Sequence, residues 1–264
     1  EKFDIKIEKP EIYFGELTNN YIFVNTLTEE FDYPKGDENV FTKYKEESGV
    51  KIDSFIKRFF FSVKFNDINI FLSKYLTKDT SILYYRNVLE RVEKIAPFLL
   101  FGTDPYIVID SKGNLIWIID AFTISNYFPY SERISYGDIP LNYIRNSVKC
   151  TINAYTGETK FYVMNEDDPV INVYKKIYPS LFLNFEEMPD DLKSHLRYPD
   201  DLVEIQSYIL RDYHMKDVDV FYNKEDRWEK AKEKYMTQTQ DIIPYFIFMK
   251  IEDKIEFVNI LPMT

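Results

Sequence analysis

The side chains of this sequence that could bind a ligand lie close together along the chain, near the ends of predicted hairpins. They combine acid, amide and guanidinium groups with tyrosines: Asp120, Asn126, Arg133, Tyr143, Arg145 and Asn146. Polar groups among aromatic rings are typical of a groove that binds a carbohydrate or a peptide. The commoner use of such residues is a buried hydrogen-bond network that ties a long loop to a sheet. The groove is therefore the functional hypothesis, and the network is its structural alternative.

Carboxylates cluster at the ends of predicted elements and suggest two further kinds of chemistry. Two such groups could cleave a glycosidic bond, so a carboxylate-dependent enzyme of the cell envelope, a glycan hydrolase or transferase, is the alternative function. The run Glu166, Asp167 and Asp168 could supply oxygen ligands to calcium. However, its spacing matches no calcium-binding loop, and helix capping explains Asp168. We therefore predict no metal site and no cofactor.

The usual catalytic motifs are missing from the sequence. It contains two histidines, His195 and His214, and no metalloprotease, nucleophile-elbow or phosphate-loop pattern. Seven glycines in 264 residues make a phosphate-binding loop improbable on composition. We expect both histidines to be structural, beside helix ends. The single cysteine, Cys150, alternates with apolar residues and is predicted to be a buried thiol.

The overall composition is that of a folded, acidic protein. Hydrophobic residues make up 45% of the chain, and its net charge is −11. This charge argues against nucleic-acid binding through a broad basic face. No apolar run reaches the ~18 residues that a membrane-spanning helix needs. We expect a single soluble domain over residues 1–264.

Hydrophobic patterning predicts an α+β fold, in which antiparallel hairpins interleave with helices in a mixed sheet. Three hairpins are expected over residues 106–120, 148–164 and 245–261. In the second, Val148, Cys150 and Ile152 alternate with polar residues, which predicts a strand buried on one face. Short strands are expected at residues 11–14 and 21–25, and loops at 33–39 and 127–140.

Helices are predicted where apolar residues repeat every three to four positions or where proline and aspartate mark a start. The clearest stripe is Ile52, Phe55, Ile56, Phe59, Phe60 and Val63. We expect this helix to face the core, with a membrane-surface helix as the alternative. A further helix is expected at residues 87–96, where Pro97 ends it. Other helices are expected to start where proline or a capping aspartate or asparagine fits a first turn. These starts are Asp168-Pro169, Pro189, Pro199, and Asn223 with Asp226 before Trp228.

Several longer segments carry a family resemblance. The block from Asn142 to Leu202 includes NAYTGETKFYV and EEMPDDLKSHLRYPDDL, and it is accompanied by KPEIYFGE, EFDYPKGDENV, RVEKIAPFL, DPYIVID, WIIDAFT and DVFYNKEDRWE. In this order, over nearly the whole chain, these segments resemble Uncharacterised Protein Family 0182, a family of large bacterial and archaeal membrane proteins.

The resemblance implies that the chain is the middle of a long region that follows several spanning helices. It also implies a parent protein in the cell membrane, with this part on the extracytoplasmic face. Its partners would then be the transmembrane and C-terminal segments of its own parent chain, with an envelope glycan or peptide as ligand. The family supplies no catalytic residues. We therefore predict a binding or assembly module, and keep the carboxylate enzyme and a purely structural piece as alternatives.

Overall fold

A computed structural model describes residues 6–36 and 38–264, and the chain divides into two compact units. The first comprises Glu1–Thr123 and Ser147–His195, and the second comprises Ile124–Asn146 and Leu196–Thr264. Packing units do not by themselves define domains that fold independently, so the single domain over residues 1–264 stays a prediction.

The strands and helices alternate without a regular strand–helix–strand order, which confirms the predicted α+β class. The strands are β1 (Ile22–Val24), β2 (Glu30–Lys35), β3 (Glu38–Thr42), β4 (Val50–Lys51), β5 (Ser81–Leu83), β6 (Leu100–Phe101), β7 (Tyr106–Ile109), β8 (Leu115–Ser125), β9 (Ile134–Tyr136), β10 (Ile139–Leu141), β11 (Tyr143–Asn153), β12 (Thr159–Val163), β13 (Phe182–Asn184), β14 (Lys232–Tyr235), β15 (Gln238–Asp241), β16 (Tyr245–Ile251) and β17 (Lys254–Ile260).

Most of the helices are short. They are α1 (Phe55–Phe65), α2 (Asn69–Leu72), α3 (Val88–Ile95), α4 (Pro169–Ile177), α5 (Asp190–Lys193), α6 (Asp200–Tyr213) and α7 (Val218–Asn223), with a 3₁₀ turn at Phe185–Glu187. Within the described part of the chain, none of them combines the length and the apolar content needed to cross a bilayer.

The first unit is built on a six-stranded sheet in the order β13-β12-β11-β8-β6, with β7 also paired to β8. The pairs β7–β8 and β11–β12 are antiparallel and confirm the first two predicted hairpins. The pair β12–β13 is parallel, so the sheet is mixed. A smaller sheet, β1-β5-β4, packs with its own apolar cluster of Ile52, Ile70, Leu76 and Ile82.

Strand β11 is buried on both faces, so the prediction of one exposed face is wrong. Lys149 and Thr151, on the predicted polar face, are 3% and 4% exposed. The strand lies in the middle of the sheet between β8 and β12. Lys149 is tolerated there because its ammonium group pairs with the Asp120 carboxylate. Cys150 is fully buried, as predicted, and burial raises the pKa of its thiol.

Helix α1 forms over most of the predicted apolar stripe, but within the helix the stripe does not face the core, and Ile52, which is buried, precedes the helix. Phe55, Ile56, Phe59, Phe60 and Val63 are each at least half exposed. The helix instead turns Phe61, Ser62 and Phe65 inward against the smaller sheet and its cluster. A helix with apolar residues on two faces has no periodicity that chooses between them, which explains the error.

Four local predictions also need correction. The expected loops at residues 33–39 and 127–140 overlap the hairpins β2–β3 and β9–β10, although Asp37 lies outside the described residues. Residues 11–14 form no regular strand. The helix expected after Asn223 is absent, since α7 ends there and Lys232–Tyr235 forms β14. In the two expected loops and after Asn223, pairing between neighbouring strands decided the structure, and turn-forming residues alone did not reveal it.

The second unit contains three two-stranded antiparallel ribbons, β9–β10, β14–β15 and β16–β17. The last is the third predicted hairpin, which is thereby confirmed. Helix α6 begins directly after Pro199 with Asp200 and Asp201 in its first turn, as its start chemistry predicts.

Candidate functional site

The second unit contains a cavity of about 510 Å³. This volume lies within the range of roughly 300–1,000 Å³ found for ligand pockets. Three parts of the chain form its walls. They are β9 with the turn that follows it, one face of α6, and the segment from Glu229 to Asp241, which contains the β14–β15 ribbon. The lining residues are Ile134, Ser135, Tyr136, Gly137, Glu204, Ile205, Tyr208, Arg211, Glu229, Lys230, Lys232 and Asp241.

Helix α6 supplies three of the cavity's functional side chains from a single face. Glu204, Tyr208 and Arg211 are separated by four and three residues, the spacing that places side chains one above another on a helix. The Arg211 guanidinium carbon lies 4.8 Å from the centroid of the Tyr208 ring. This stacking fixes the guanidinium against the ring and holds it at the cavity wall.

The β9–β10 hairpin is fastened to the start of α6. The Tyr136 hydroxyl donates a hydrogen bond to the Asp201 carboxylate. Burial, and secondarily this bond, raise the pKa of Tyr136 well above its usual range, so the hydroxyl remains a donor at all ordinary pH values. Asp201 therefore serves both the helix start and the hairpin, and the two walls of the cavity are joined.

A second link joins α6 to the segment before β14. Lys230 Nζ lies 2.5 Å from Glu204 Oε1, and their side chains are 17% and 46% exposed. Further along, Lys232 and Asp241 are directly opposite each other in the β14–β15 ribbon. Opposite charges therefore lie near each other along this wall, and Lys230 and Glu204 form an ion pair.

Over the residues that the structure describes, the guanidinium of Arg211 lacks a partner at one of its nitrogens. Its Nε is buried and has no hydrogen-bond partner among residues 6–36 and 38–264. Burying such a donor without a partner is costly, and it is uncommon in folded proteins. Among the described residues, this guanidinium therefore stacks on the Tyr208 ring while its Nε has no partner.

The charges around the cavity balance. Three cations, Arg211, Lys230 and Lys232, face three acids, Glu204, Glu229 and Asp241. Such a lining suits a ligand that carries both signs of charge, or many hydroxyl groups, better than a polyanion.

Only part of the groove predicted from the sequence is brought together. Tyr143 stacks on Phe128 with ring centroids 4.9 Å apart, and the Arg145 guanidinium lies 5.8 Å from the Tyr143 ring. Asn126 and Asn146 are half-buried and Arg133 is exposed, all in the second unit. Asp120 belongs to the first unit, where it pairs with Lys149. None of the six lines the cavity, so their role in ligand binding stays a prediction.

The cavity residues were missed because they come from three distant stretches of sequence. No short motif joins the β9–β10 turn, α6 and the segment from Glu229 to Asp241. The available signal was the spacing of Glu204, Tyr208 and Arg211 after a clear helix start at Pro199. That pattern predicts a polar helix face with an aromatic centre, but it is also common on solvated helices.

Most of the other candidate groups have structural contacts. Asp168 caps α4 by accepting a hydrogen bond from Val170 N–H, as predicted, and Glu166 pairs with Lys175 at 3.7 Å. His214 ends α6 and stacks on Trp228 at 3.9 Å, while His195 is exposed in a turn after α5. In the part of the chain described, no three His, Cys, Asp or Glu side chains are grouped so that they could hold a metal ion.

Comparison with known proteins gives a consistent picture. A family model described as "Uncharacterised protein family (UPF0182)" matches residues 1–264. A "UPF0182 protein" of Sulfurovum sp. is 47% identical over 99% of this chain and 29% of its own length. Those of Desulforamulus reducens and Methanospirillum hungatei are 46% and 45% identical over 99% and 98% of this chain, and over 28% and 29% of their own. The chain thus spans less than a third of these relatives. No solved structure matches it.

Proposed function

The chain belongs to the uncharacterised protein family UPF0182, and we propose that it acts as a binding module within a larger membrane protein. Its ligand site is the cavity of the second unit. The observation that carries this proposal is the Arg211 guanidinium, which lies at the cavity wall with an unpartnered Nε. The proposed parent lies in the cell membrane and presents this part on the extracytoplasmic face. Its partners there include the transmembrane and C-terminal segments of its own chain.

The ligand class follows from the lining. A short peptide with free termini carries one positive and one negative charge, which matches a lining of equal and opposite charges. Its carboxylate would accept hydrogen bonds from Arg211 in the fork geometry that guanidinium groups favour. Glu229, an acidic residue of the same lining, would bind the ammonium group of the peptide. Peptide fragments of the cell envelope are therefore the proposed ligands, and envelope glycans are the second choice.

The walls support a preformed site. The Tyr136–Asp201 hydrogen bond and the Lys230–Glu204 pair both tie α6 to neighbouring segments. A wall fixed before binding loses less conformational entropy when the ligand arrives.

A thermal-shift screen of the 264-residue chain tests the proposal. The probes are trialanine as a dipolar peptide, a chitin disaccharide as a neutral glycan, and triphosphate as a polyanion. A ligand present at 100 times its dissociation constant stabilises a fold by about 2.7 kcal/mol. We expect a shift with the peptide, a smaller one with the glycan and none with triphosphate.

Two arginine variants then locate the binding site. Arg211→Ala should abolish the peptide shift. Arg145→Ala removes the arginine of the groove predicted from the sequence and should leave the shift unchanged. If Arg145→Ala abolished the shift and Arg211→Ala did not, the binding site would lie at Tyr143 and Arg145. Turnover of a glycan that is lost in Glu229→Gln would instead identify a carboxylate-dependent enzyme.

A further inference from the structure

The outward side of α1 and α2 forms an exposed apolar surface in the first unit. We call it the aromatic face, and it consists of Phe55, Ile56, Phe59, Phe60, Val63, Ile68 and Leu72, each 50–69% exposed. At ~150–250 Å² for a fully exposed aromatic residue, these side chains together leave on the order of 800 Å² in contact with solvent. The largest patch on a typical monomer is roughly 300–600 Å², so this surface is large enough to mark an interaction site.

The aromatic face is ordered by its own contacts. Phe71 of α2 packs edge-on against Phe55 and Phe59 of α1, with ring centroids 4.4 and 6.2 Å apart. Arg58 donates to the carbonyl of Leu76 at 2.7 Å, which ties α1 to the segment after α2. The two helices therefore present the face as one preformed surface.

Basic residues border the aromatic face in a chain that is otherwise acidic. Residues 51–80 contain six lysines or arginines and three aspartates, a local charge of +3, while the whole chain carries −11. Lys57 and Lys64 are three residues before and four residues after Phe60, so both flank it on the helix surface, and Lys57 also pairs with Asp53 at 2.9 Å. Lys64 also lies over the Tyr84 ring at 4.1 Å, so its ammonium group is held at the edge of α1 where the helix meets the smaller sheet.

An adjoining crevice extends this pattern. It has a volume of about 570 Å³ and shares Leu72 with the aromatic face. Leu27 and Tyr75 supply further apolar wall, and Lys74 places a cation at its edge. Apolar surface beside lysine is therefore continuous from α1 to this crevice.

We propose that the aromatic face docks on the surface of an anionic phospholipid bilayer, with Phe60 and its apolar neighbours inserted at the level of the headgroups. Apolar and aromatic side chains bordered by lysines are the features of helices that lie in the membrane interface. Each lysine near an anionic surface adds attraction, and its aliphatic stem can extend along the apolar residues while the charge stays with the headgroups.

The charge pattern favours a membrane over a second copy of the chain. In a symmetric dimer this face would meet itself, which would bring like-charged lysines together. An anionic bilayer offers the opposite charge and an apolar interior in one partner. The inference rests on the first unit alone and is independent of the ligand site proposed in the second.

Sedimentation with lipid vesicles tests the docking of the 264-residue chain. We expect binding to vesicles of phosphatidylcholine with phosphatidylglycerol, weak binding to phosphatidylcholine alone, and a marked loss at high salt. Phe60→Ser should weaken the partition about tenfold or more, because a buried phenylalanine contributes at least that much. Lys57→Gln with Lys64→Gln should weaken it about tenfold on anionic vesicles only.

The control is Phe248→Ser, which removes a phenylalanine that is 70% exposed on β16 and should leave binding unchanged. As a second measurement, the fluorescence of Phe60→Trp should be quenched by brominated anionic lipids, and that of Phe248→Trp should not. Failure of the unaltered chain to bind anionic vesicles would overturn the proposal. So would equal binding by Phe60→Ser, or a dimer in solution that Phe60→Ser dissociates.

Discussion

Lys149 of β11 and Asp120 of β8 form an ion pair in the interior of the first unit. Their side chains are only 4% and 11% exposed. Two buried charges compensate each other's loss of hydration, whereas one alone would carry the full desolvation penalty. The pair explains how a lysine on an apparently polar strand face can lie in the middle of a sheet.

Removing one member of this pair should destabilise the protein strongly. We expect Lys149→Met to lower the free energy of unfolding by about 3–5 kcal/mol, because it removes the cation that balances Asp120. The double variant Lys149→Met with Asp120→Leu should recover most of that loss. Urea denaturation measures both. Lys160→Met, which breaks the exposed pair with Glu158, should change stability by less than about 1 kcal/mol and serves as the control. A small effect of Lys149→Met alone would contradict this account.

This pair and helix α1 show where sequence reasoning stops. Alternation along β11 located the strand correctly but assigned Lys149 and Thr151 to solvent, since a strand's neighbours in the sheet are not visible in its own sequence. Periodicity located α1 correctly but chose the wrong face. In both elements the local sequence pattern determines the type of secondary structure, whereas long-range packing determines which face is buried.

A second buried carboxylate should be equally important. Asp168 is 1% exposed, and it accepts hydrogen bonds at 2.5 Å from the hydroxyls of Thr123 and Ser147 while it caps α4. Asp168→Ala removes the cap and leaves the hydroxyls of Thr123 and Ser147, among the described residues, with only their mutual contact of 3.3 Å, so we expect a loss of about 2–4 kcal/mol. Asp217→Ala removes only an exposed cap of α7 and should cost about 1 kcal/mol. Thermal or chemical unfolding of the two variants compares them, and equal losses would show that the buried network contributes nothing.

Gly157 is required at the turn between β11 and β12 for two reasons. Its φ is +72°, and a Cβ there would lie 2.5 Å from the ring of Phe14, which is 2% exposed. We expect Gly157→Ala to cost about 2–4 kcal/mol. Gly36→Ala, with φ +63° and open space around it, should cost only about 1 kcal/mol. Denaturation midpoints test the difference, which vanishes if the Phe14 ring moves aside freely.

The Tyr21–Asp67 hydrogen bond should give stability a defined pH dependence. The Tyr21 hydroxyl donates to Asp67 Oδ2 at 2.5 Å. Burial and this bond raise the pKa of Tyr21 to about 12, and the same hydroxyl is the main cause that lowers the pKa of Asp67. A raised tyrosine pKa contributes stability below the unfolded value of about 10, and that contribution is lost as pH rises through 12. The lowered pKa of Asp67 contributes stability above the unfolded value of about 3.9, and that stability is lost as the pH falls below it.

Tyr21→Phe isolates this effect. Between about pH 4 and pH 10 the variant should be less stable than the unaltered chain, and the difference should shrink toward pH 12 and again in acid. Urea titrations at pH 3, 7 and 11 measure it. A difference that stays constant across these values would show that the bond does not couple to either titration.

The candidate site was less accessible to sequence reasoning than the fold. Tyr143 and Arg145 lie close together because both are on strand β11, two residues apart. The cavity residues Tyr136, Glu204 and Lys230 come from separate segments whose meeting depends on tertiary packing. Arg211 became a candidate only when its burial and its unpartnered Nε were known.

Calorimetric titration of trialanine into the chain tests the central claim most directly, since it measures binding at the cavity through Arg211. The account predicts saturable binding to the unaltered chain and to Arg145→Ala. It predicts that Arg211→Ala, with its fold confirmed by circular dichroism, weakens binding about tenfold or more, the usual loss when a charged hydrogen-bonding partner is removed. Undiminished binding to Arg211→Ala, or no binding to the unaltered chain, would contradict it.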